Sequence, residues 1–150
     1  MTKIPTYIPV ESGSVYLDTI AKWIADEWSG ETGDSVEAIK DKILNTHQSP
    51  SSVVAVLEDK AVGFVWLWRH KFEGESEPSL WINALYVHEA YRKQGIATSL
   101  VKQAISQSKS YEDRLFAYTD IPEFYMRMGW QVFQEENEEG HWVVLHESNN

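Results

Sequence analysis

The chain has 150 residues, 43% of them apolar and 24% charged, with seven Trp and seven Tyr; this composition excludes a disordered chain and suits one globular domain spanning residues 1–150. It contains no Cys, which excludes a disulfide framework, a thiolate metal site and a cysteine nucleophile. A formal charge of -10 opposes phosphate backbones and anionic lipid, so neither nucleic acid nor membrane is an expected partner, and such a surface either draws in a cationic substrate or serves solubility alone.

The start, Met1 to Pro9, has no apolar run of signal-peptide length, and no later segment approaches the roughly 18 apolar residues of a membrane span. A cytoplasmic location is the expectation. Leu17, Ile20, Ala21, Ile24 and Trp28 recur at three- and four-residue spacing and predict an amphipathic helix over 15–28 that ends near Gly30. Asp34 and Glu37 read as a capping box opening a second helix, with Ile39, Ile43 and Leu44 on its apolar stripe, which stops before Pro50. Val53 to Leu57 and Ala61 to Arg69 are β-branched and aromatic runs joined by Glu58-Asp59-Lys60, a hairpin pattern. On the second of these strands Trp66 and Trp68 share a face, where core packing accounts for them.

Residues 71 to 79 form a polar connection, and Leu80 to Val87 resumes as a strand with Asn83 its one conspicuously polar member. A third helix follows, with Ile96, Leu100, Val101, Ala104 and Ile105 as its buried stripe, and Arg114 to Tyr118 reads as the strand that completes a βαβ unit. Pro122 suits the first turn of a short fourth helix running to Met128, with Gly129 as its C-terminal cap. Two last strands, Trp130 to Gln134 and His141 to His146, flank the acidic loop Glu135 to Gly140. The fold class is α/β with a mixed sheet.

Chemistry concentrates where the fourth strand meets the third helix, in Leu85-Tyr-Val-His-Glu-Ala-Tyr-Arg-Lys-Gln-Gly-Ile-Ala-Thr-Ser-Leu100. A strand that enters a basic, glycine-containing turn and then a helix leaves first-turn amides free for an anion. Arg92 and Lys93 add positive charge, and Gly95 and Ala97 are small enough for a phosphate to approach. A helix start stabilises an oxyanion by roughly 0.3 to 1 kcal/mol, and by about 2 when partly buried. A pyrophosphate meets this demand. A solvated helix start with a turn glycine is the plainer alternative. No Gly-x-Gly-x-x-Gly fingerprint follows the first strand, and no phosphate loop ends in Gly-Lys-Ser/Thr, which disfavours a dinucleotide oxidoreductase or a kinase. There is no Gly-x-Ser-x-Gly elbow, and His141 and His146, five apart on a strand, face opposite sides; His47, His70 and His88 make no ligand spacing, so no metal is expected.

These residues resemble the GNAT superfamily of N-acetyltransferases. The family's Arg/Gln-x-x-Gly-x-Gly/Ala signature stands here as Arg92-Lys-Gln-Gly95-Ile-Ala97, after the strand end Leu85-Tyr86-Val87. A second element, Phe124-Tyr125-Met-Arg-Met-Gly129-Trp130, is similar to the family's Phe-Tyr-x-x-x-Gly-Phe/Trp, and the order of helices and strands agrees from about residue 7 to 146. The resemblance implies about seven strands with four helices and a sheet splayed between strands 4 and 5, the pantetheine arm of acetyl-CoA lying in the gap. It assigns the coenzyme to Leu85, Tyr86 and Val87 for the arm and to Arg92, Lys93, Gln94, Gly95, Ile96, Ala97 and Thr98 for the pyrophosphate, and it places Tyr125 near the coenzyme sulfur as the catalytic acid. It also makes a homodimer an expectation, dimers being common in that family.

Acyl transfer from a thioester to an amine sets its own requirements. An ordinary alkylamine has a pKa of about 10.4, so at neutral pH about one molecule in a few thousand carries the attacking lone pair. The departing thiolate leaves more readily when a proton is offered. A phenol is a weaker acid than a thiol by about 1.5 units, roughly 2 kcal/mol, so Tyr125 need only donate a hydrogen bond. In several branches of the family a carboxylate lies on the fourth strand six residues before its closing valine; here that residue is Trp81. With that base missing, Trp81, Asn83, which could hold a relaying water, and Glu27 beside Asp26 are the acceptor-side candidates. The connection Tyr118-Thr-Asp-Ile-Pro-Glu123 also departs from relatives that carry an Asn and a longer run before the tyrosine, so no Asn role is carried over. The expected function is transfer of acetyl from acetyl-CoA to a primary amine of a cationic small molecule or a protein, by direct attack in a ternary complex. The alternative is a non-catalytic acyl-CoA-binding or regulatory module of the same fold.

Overall fold

The computed structural model describes residues 4–32, 34–45, 50–71 and 74–148, the side chains of 28–32 excepted; His47 and the Trp28 side chain, named above, and residues 72–73 of the polar connection lie outside the described residues. In chain order the elements are β1 (Thr6–Pro9), α1 (Leu17–Thr32), α2 (Val36–Leu44), β2 (Val53–Leu57), β3 (Lys60–His70), β4 (Ser79–Val87), α3 (Ile96–Ser108), β5 (Arg114–Thr119), α4 (Pro122–Met126), β6 (Gln131–Gln134) and β7 (Trp142–Glu147). The seven strands form one mixed sheet in the order β1-β2-β3-β4-β5-β7-β6. Every pairing is antiparallel except β4 with β5, which α3 joins as a parallel crossover.

The first two helices differ at their boundaries from what the spacing predicts. The first helix passes through Gly30 to Thr32, because a single glycine costs only about 1 kcal/mol in a helix whose Leu17, Ile20, Ala21 and Ile24 stripe is already buried. The second helix is capped by Ser35, whose Oγ accepts from the Ala38 amide at 3.1 Å, so the cap falls one residue later than expected and the Asp34–Glu37 capping box does not form. The Asp34 carboxylate instead accepts from Lys42 Nζ at 2.6 Å.

The Leu57–Lys60 hairpin closes on two residues, Glu58 and Asp59, both at positive φ (50° and 65°), the twist that a two-residue turn requires. The fourth helix ends at Met126, two residues short of the expected Met128, and Gly129 closes it as expected: Trp130 N donates to Tyr125 O and Gly129 N to Met126 O, the paired bonds of a Schellman cap. Trp130 is thereby used by the cap, and β6 begins one residue later than predicted, at Gln131.

Two apolar layers sandwich the sheet. On one face Ile96, Leu100, Val101 and Ala104 of α3 pack with Leu80, Ile82, Val87, Leu115 and Ala117. On the other, Ile20, Ala21 and Ile24 of α1 and Ile39 and Ile43 of α2 cover Val54, Phe64, Trp66 and Ala84. Trp66 is thus a core residue, with Trp68 against it edge to face at 5.7 Å. A third cluster, Trp81, Phe116, Val143 and Leu145, continues the helix α1 face onto the β5–β7 half of the sheet.

Asn83 changes the phase of β4. Opposite it the register with β3 jumps from Trp66↔Ala84 to Leu67↔Ile82, leaving Asn83 as the extra residue of a β-bulge. Leu80 and Ile82 face α3 before the bulge, and Leu85 and Val87 face α3 after it. Two Cα pairs, Trp81↔Phe116 and Ile82↔Ala117, make up the whole β4–β5 ladder. Beyond them the two strands part, which is the splay between strands 4 and 5.

Candidate active site

The turn from β4 into α3 is built by its own backbone. His88 N donates to Val62 O at 2.9 Å, a short 3-10 turn covers Glu89–Tyr91, and Arg92 Nε folds back to donate to Val87 O at 2.7 Å. The Arg92 guanidinium also lies 5.6 Å from the Tyr86 ring centroid. Lys93 sits at φ 65° and Gly95 at φ 84°. For a residue with a Cβ that region costs roughly 1 to 2 kcal/mol, and Gly95 takes it freely as the N-cap of α3. A Cβ built on Gly95 would meet nothing within 4 Å, so open space lies in front of the helix start.

No side chain caps α3. Its first-turn amides therefore await partners, as an anion site requires. They face a cavity of about 450 Å³ lined by Glu27, Leu85, Tyr86, Val87, Tyr91, Arg92, Lys93, Gly95, Ile96, Ala97, Thr98, Ile121 and Phe124. Nine of the ten residues assigned to the coenzyme from sequence are in that lining; Gln94 is not. Uncapped amides, two cations and empty space before a glycine fit the pyrophosphate of acetyl-CoA, and Leu85 to Val87 lie where β4 has lost its β5 partner and can pair with an amide-bearing chain.

The other assigned residues divide. Glu27, on α1, is the carboxylate in the lining. Near it Trp23 of α1 packs on Tyr86 with centroids 5.0 Å apart. Asn83 is exposed at the bulge, at the mouth of the splay, though it is not in the lining. Trp81 is buried at 7% exposure and stacks on Phe116 at 5.0 Å and 25°, so it supports the sheet and is not brought to the cavity. Tyr125 is 4% exposed, packed between Phe124 and Trp130 at 5.1 and 4.9 Å. Burial pushes its phenol above the usual tyrosine range. Its neighbour Phe124 reaches the cavity, while Tyr125 belongs to the core layer under α3.

Two lining residues, Tyr91 and Ile121, carried no signal of their own in sequence, and only the fold brings them to the gap; Phe124 opens the second family element but was given no role there. Gly63 did carry one, a glycine inside a β run: a Cβ there would come within 3.1 Å of Leu100 Cδ1 and Tyr86 O and 3.3 Å of Ile96 Cγ2. It lets the start of α3 seat closely on β3 and so sets the height of the anion site. The two acidic loops lie at opposite ends of the sheet. The connection holding Glu75 and Glu77 precedes β4, whereas Glu135 to Glu139 precede β7, whose first residue Trp142 pairs with Thr119 at the end of β5 beside the gap. The length of β5, from Arg114 beside Glu75 to Thr119 beside Trp142, separates the two loops, about 17 Å at roughly 3.3 Å per residue.

Comparison with known proteins agrees with this geometry. Among solved structures the fold matches an aminoglycoside 6'-acetyltransferase type Ii with a TM-score of 0.77, at 20% identity over 97% of this chain and 98% of that one. An aminoglycoside 6'-N-acetyltransferase complexed with coenzyme A gives 0.76 at 17% identity over 97% and 98% of the chains. Arabidopsis thaliana NAA60 in complex with acetyl-CoA gives 0.71 at 15% identity over 96% and 99%. No sequence relative is found among curated proteins. The model of the acetyltransferase (GNAT) family matches residues 17–130, from the start of α1 to the cap of α4, and so the chain belongs to the GNAT family of acetyltransferase enzymes.

Proposed function

We propose that the chain transfers the acetyl group of acetyl-CoA to a primary amine by direct attack within a ternary complex. The observation that carries this reading is the continuity of the cavity. It begins at the uncapped amides of α3 and ends along Leu85 to Val87, where β4 and β5 have parted. On this path a coenzyme held at its diphosphate end would run its arm along β4 with the thioester towards the bulge at Asn83. The solved acetyltransferases with coenzyme A or acetyl-CoA bound share this fold, which supports the same cosubstrate here.

In this reading the amine nitrogen forms a bond to the acetyl carbon, the carbon–sulfur bond breaks, and the proton lost by the amine balances the one gained by the departing thiolate. Arg92 and Lys93 and the amides of Gly95 to Thr98 hold the diphosphate, while Leu85 to Val87 align the arm. Glu27 is the cavity carboxylate able to take the amine proton through water. Tyr125 supplies the hydrogen bond to the sulfur. Its raised pKa keeps it protonated across the working range and makes outright proton transfer less favourable than for a free phenol, so its role is donation.

The burial of Tyr125 also favours a second reading, a coenzyme-binding module without turnover. Thiol release over a panel of amines separates the two. The transferase reading expects free thiol in step with amine acetylated; tight coenzyme binding with no thiol from any amine would replace it with the binding module.

A further inference from the structure

Resting on the transfer reading above, we propose that Tyr118, stacked on His141 and joined to Glu139, forms an ammonium subsite on the acceptor side of the gap, and that the acceptor carries at least two amines. After the last β4–β5 pair, Ile82↔Ala117, the next residues are Asn83 and Tyr118, one on each strand where the two part and both outside the cavity lining. Tyr118 is opposite Val143 and alternates with Phe116, so it stands on the sheet face that carries α1 and α2, away from α3. Glu27 belongs to that face as well, being on α1.

Tyr118 is 48% exposed and yet tightly fixed. The His141 ring lies flat against it, centroids 4.6 Å apart and planes 5° from parallel. Asn137 Nδ2 donates to the phenol oxygen at 2.6 Å, which leaves the phenol proton for Glu139 Oε1, 3.5 Å away. Asn137 Oδ1 also accepts from the amides of Glu139 and His141 at 2.9 and 3.0 Å, and so fixes the β6–β7 loop around the ring. His141 Nδ1 is buried there without a hydrogen-bond partner among the described residues. Solvation alone does not call for an exposed phenol held by three neighbours. An aromatic platform with a carboxylate at its edge is a receptor for an alkylammonium group.

The nitrogen that attacks a thioester must be uncharged. A subsite built to attract a cation therefore holds a different nitrogen of the same molecule, and a second amine follows from the pairing of this subsite with the gap. The aromatic wall, together with the acidic loop at the same end of the sheet, points to a di- or polyamine-like acceptor.

The experiment compares 1,5-diaminopentane with pentylamine, equal in length and differing by one ammonium, in wild type and in the Tyr118→Ala and Glu139→Gln variants. In wild type, kcat/KM should favour the diamine by roughly tenfold or more, carried by KM, and both variants should bring the ratio towards one. No preference in wild type, or a preference that survives both substitutions, overturns the subsite. Calorimetric titration with acetyl-CoA tells this failure apart from failure of the coenzyme site. Should the coenzyme bind and neither amine react, the transfer reading fails; titration of the coenzyme-loaded protein with the two amines then decides the subsite, tighter diamine binding supporting it and equal affinity overturning it.

Discussion

The two sides of the β4–β5 gap are made in different ways. The proposed coenzyme side offers main chain: uncapped amides of α3, a glycine at positive φ, and a strand edge left open by the splay. On the acceptor side as proposed, recognition is by side chains from distant segments, Glu27 and Trp23 on α1, Asn83 at the bulge, Tyr118 on β5, and His141 and Glu139 about the β6–β7 loop. A main-chain site constrains a short stretch of sequence to particular small residues, so one motif can announce it. A side-chain site leaves no spacing to read, because the fold rather than the chain makes its residues neighbours.

The largest expected effect breaks the coenzyme side. Gly95→Glu places a carboxylate in the open space before α3, and acetyl-CoA binding measured by calorimetry should fall by about 100-fold or more, through charge repulsion and loss of the amide site. Gly95→Asn, which tolerates the left-handed region without added charge, should keep the fold and more of the affinity. Undiminished affinity in a folded Gly95→Glu protein would remove the turn from the site.

Next, Tyr125→Phe deletes one hydroxyl from a packed position and should leave acetyl-CoA affinity near wild type while kcat falls by about 10²- to 10⁴-fold. A wild-type rate would leave Tyr125 as a core residue only. The direction of its pKa gives a companion result. With the phenol held above its usual value of about 10, kcat should show no falling limb from this group up to about pH 10. Stability follows the same shift: the unfolded phenol loses its proton first, so this group's contribution to stability is complete below about pH 10 and diminishes as pH rises above it.

Much of this division is legible in the sequence. The Arg92 to Ala97 turn and the order of elements are readable because apolar periodicity and one glycine-bearing motif fix them locally, whereas the splay follows only from the family resemblance. Trp81 was read as an acceptor-side residue from its place on the strand, but stacking on Phe116 buries it. Asn83 stood out as a polar residue in an apolar strand. Its bulge, which reverses the faces of Leu85 and Val87, depends on register with β3 and has no sequence signature of its own. His141 was weighed only as a metal ligand, since nothing in the chain order places it on Tyr118.

A smaller effect separates the two acidic loops. Changing Glu135, Glu136 and Glu138 to Gln should raise the apparent KM of a cationic amine about two- to fivefold at low salt, a difference that shrinks at 0.15 M, where the Debye length is about 8 Å. Changing Glu75 and Glu77 to Gln should leave it unaltered, because that loop lies at the far end of β4, and because Glu75 already faces Arg114 at 3.9 Å. Equal shifts from the two loops would mean that net charge, and not position, attracts the acceptor.

The smallest effect concerns the seat of α3. Gly63→Ala presses a methyl group against Leu100 and the Tyr86 carbonyl and should destabilise the fold by about 1 to 3 kcal/mol, read as a lower Tm, with a modest loss of coenzyme affinity as the helix start is pushed from its strand. An unchanged Tm would show that α3 has room that the 3.1 Å approach denies.

Mass spectrometry of the amine after incubation with acetyl-CoA and wild-type protein tests the central claim most directly. One acetyl group should appear on a primary nitrogen of the amine, one free thiol should form for each, and the product should fall away in Gly95→Glu and Tyr125→Phe. Recovery of unmodified amine from a protein saturated with acetyl-CoA, across mono- and diamines alike, would contradict it.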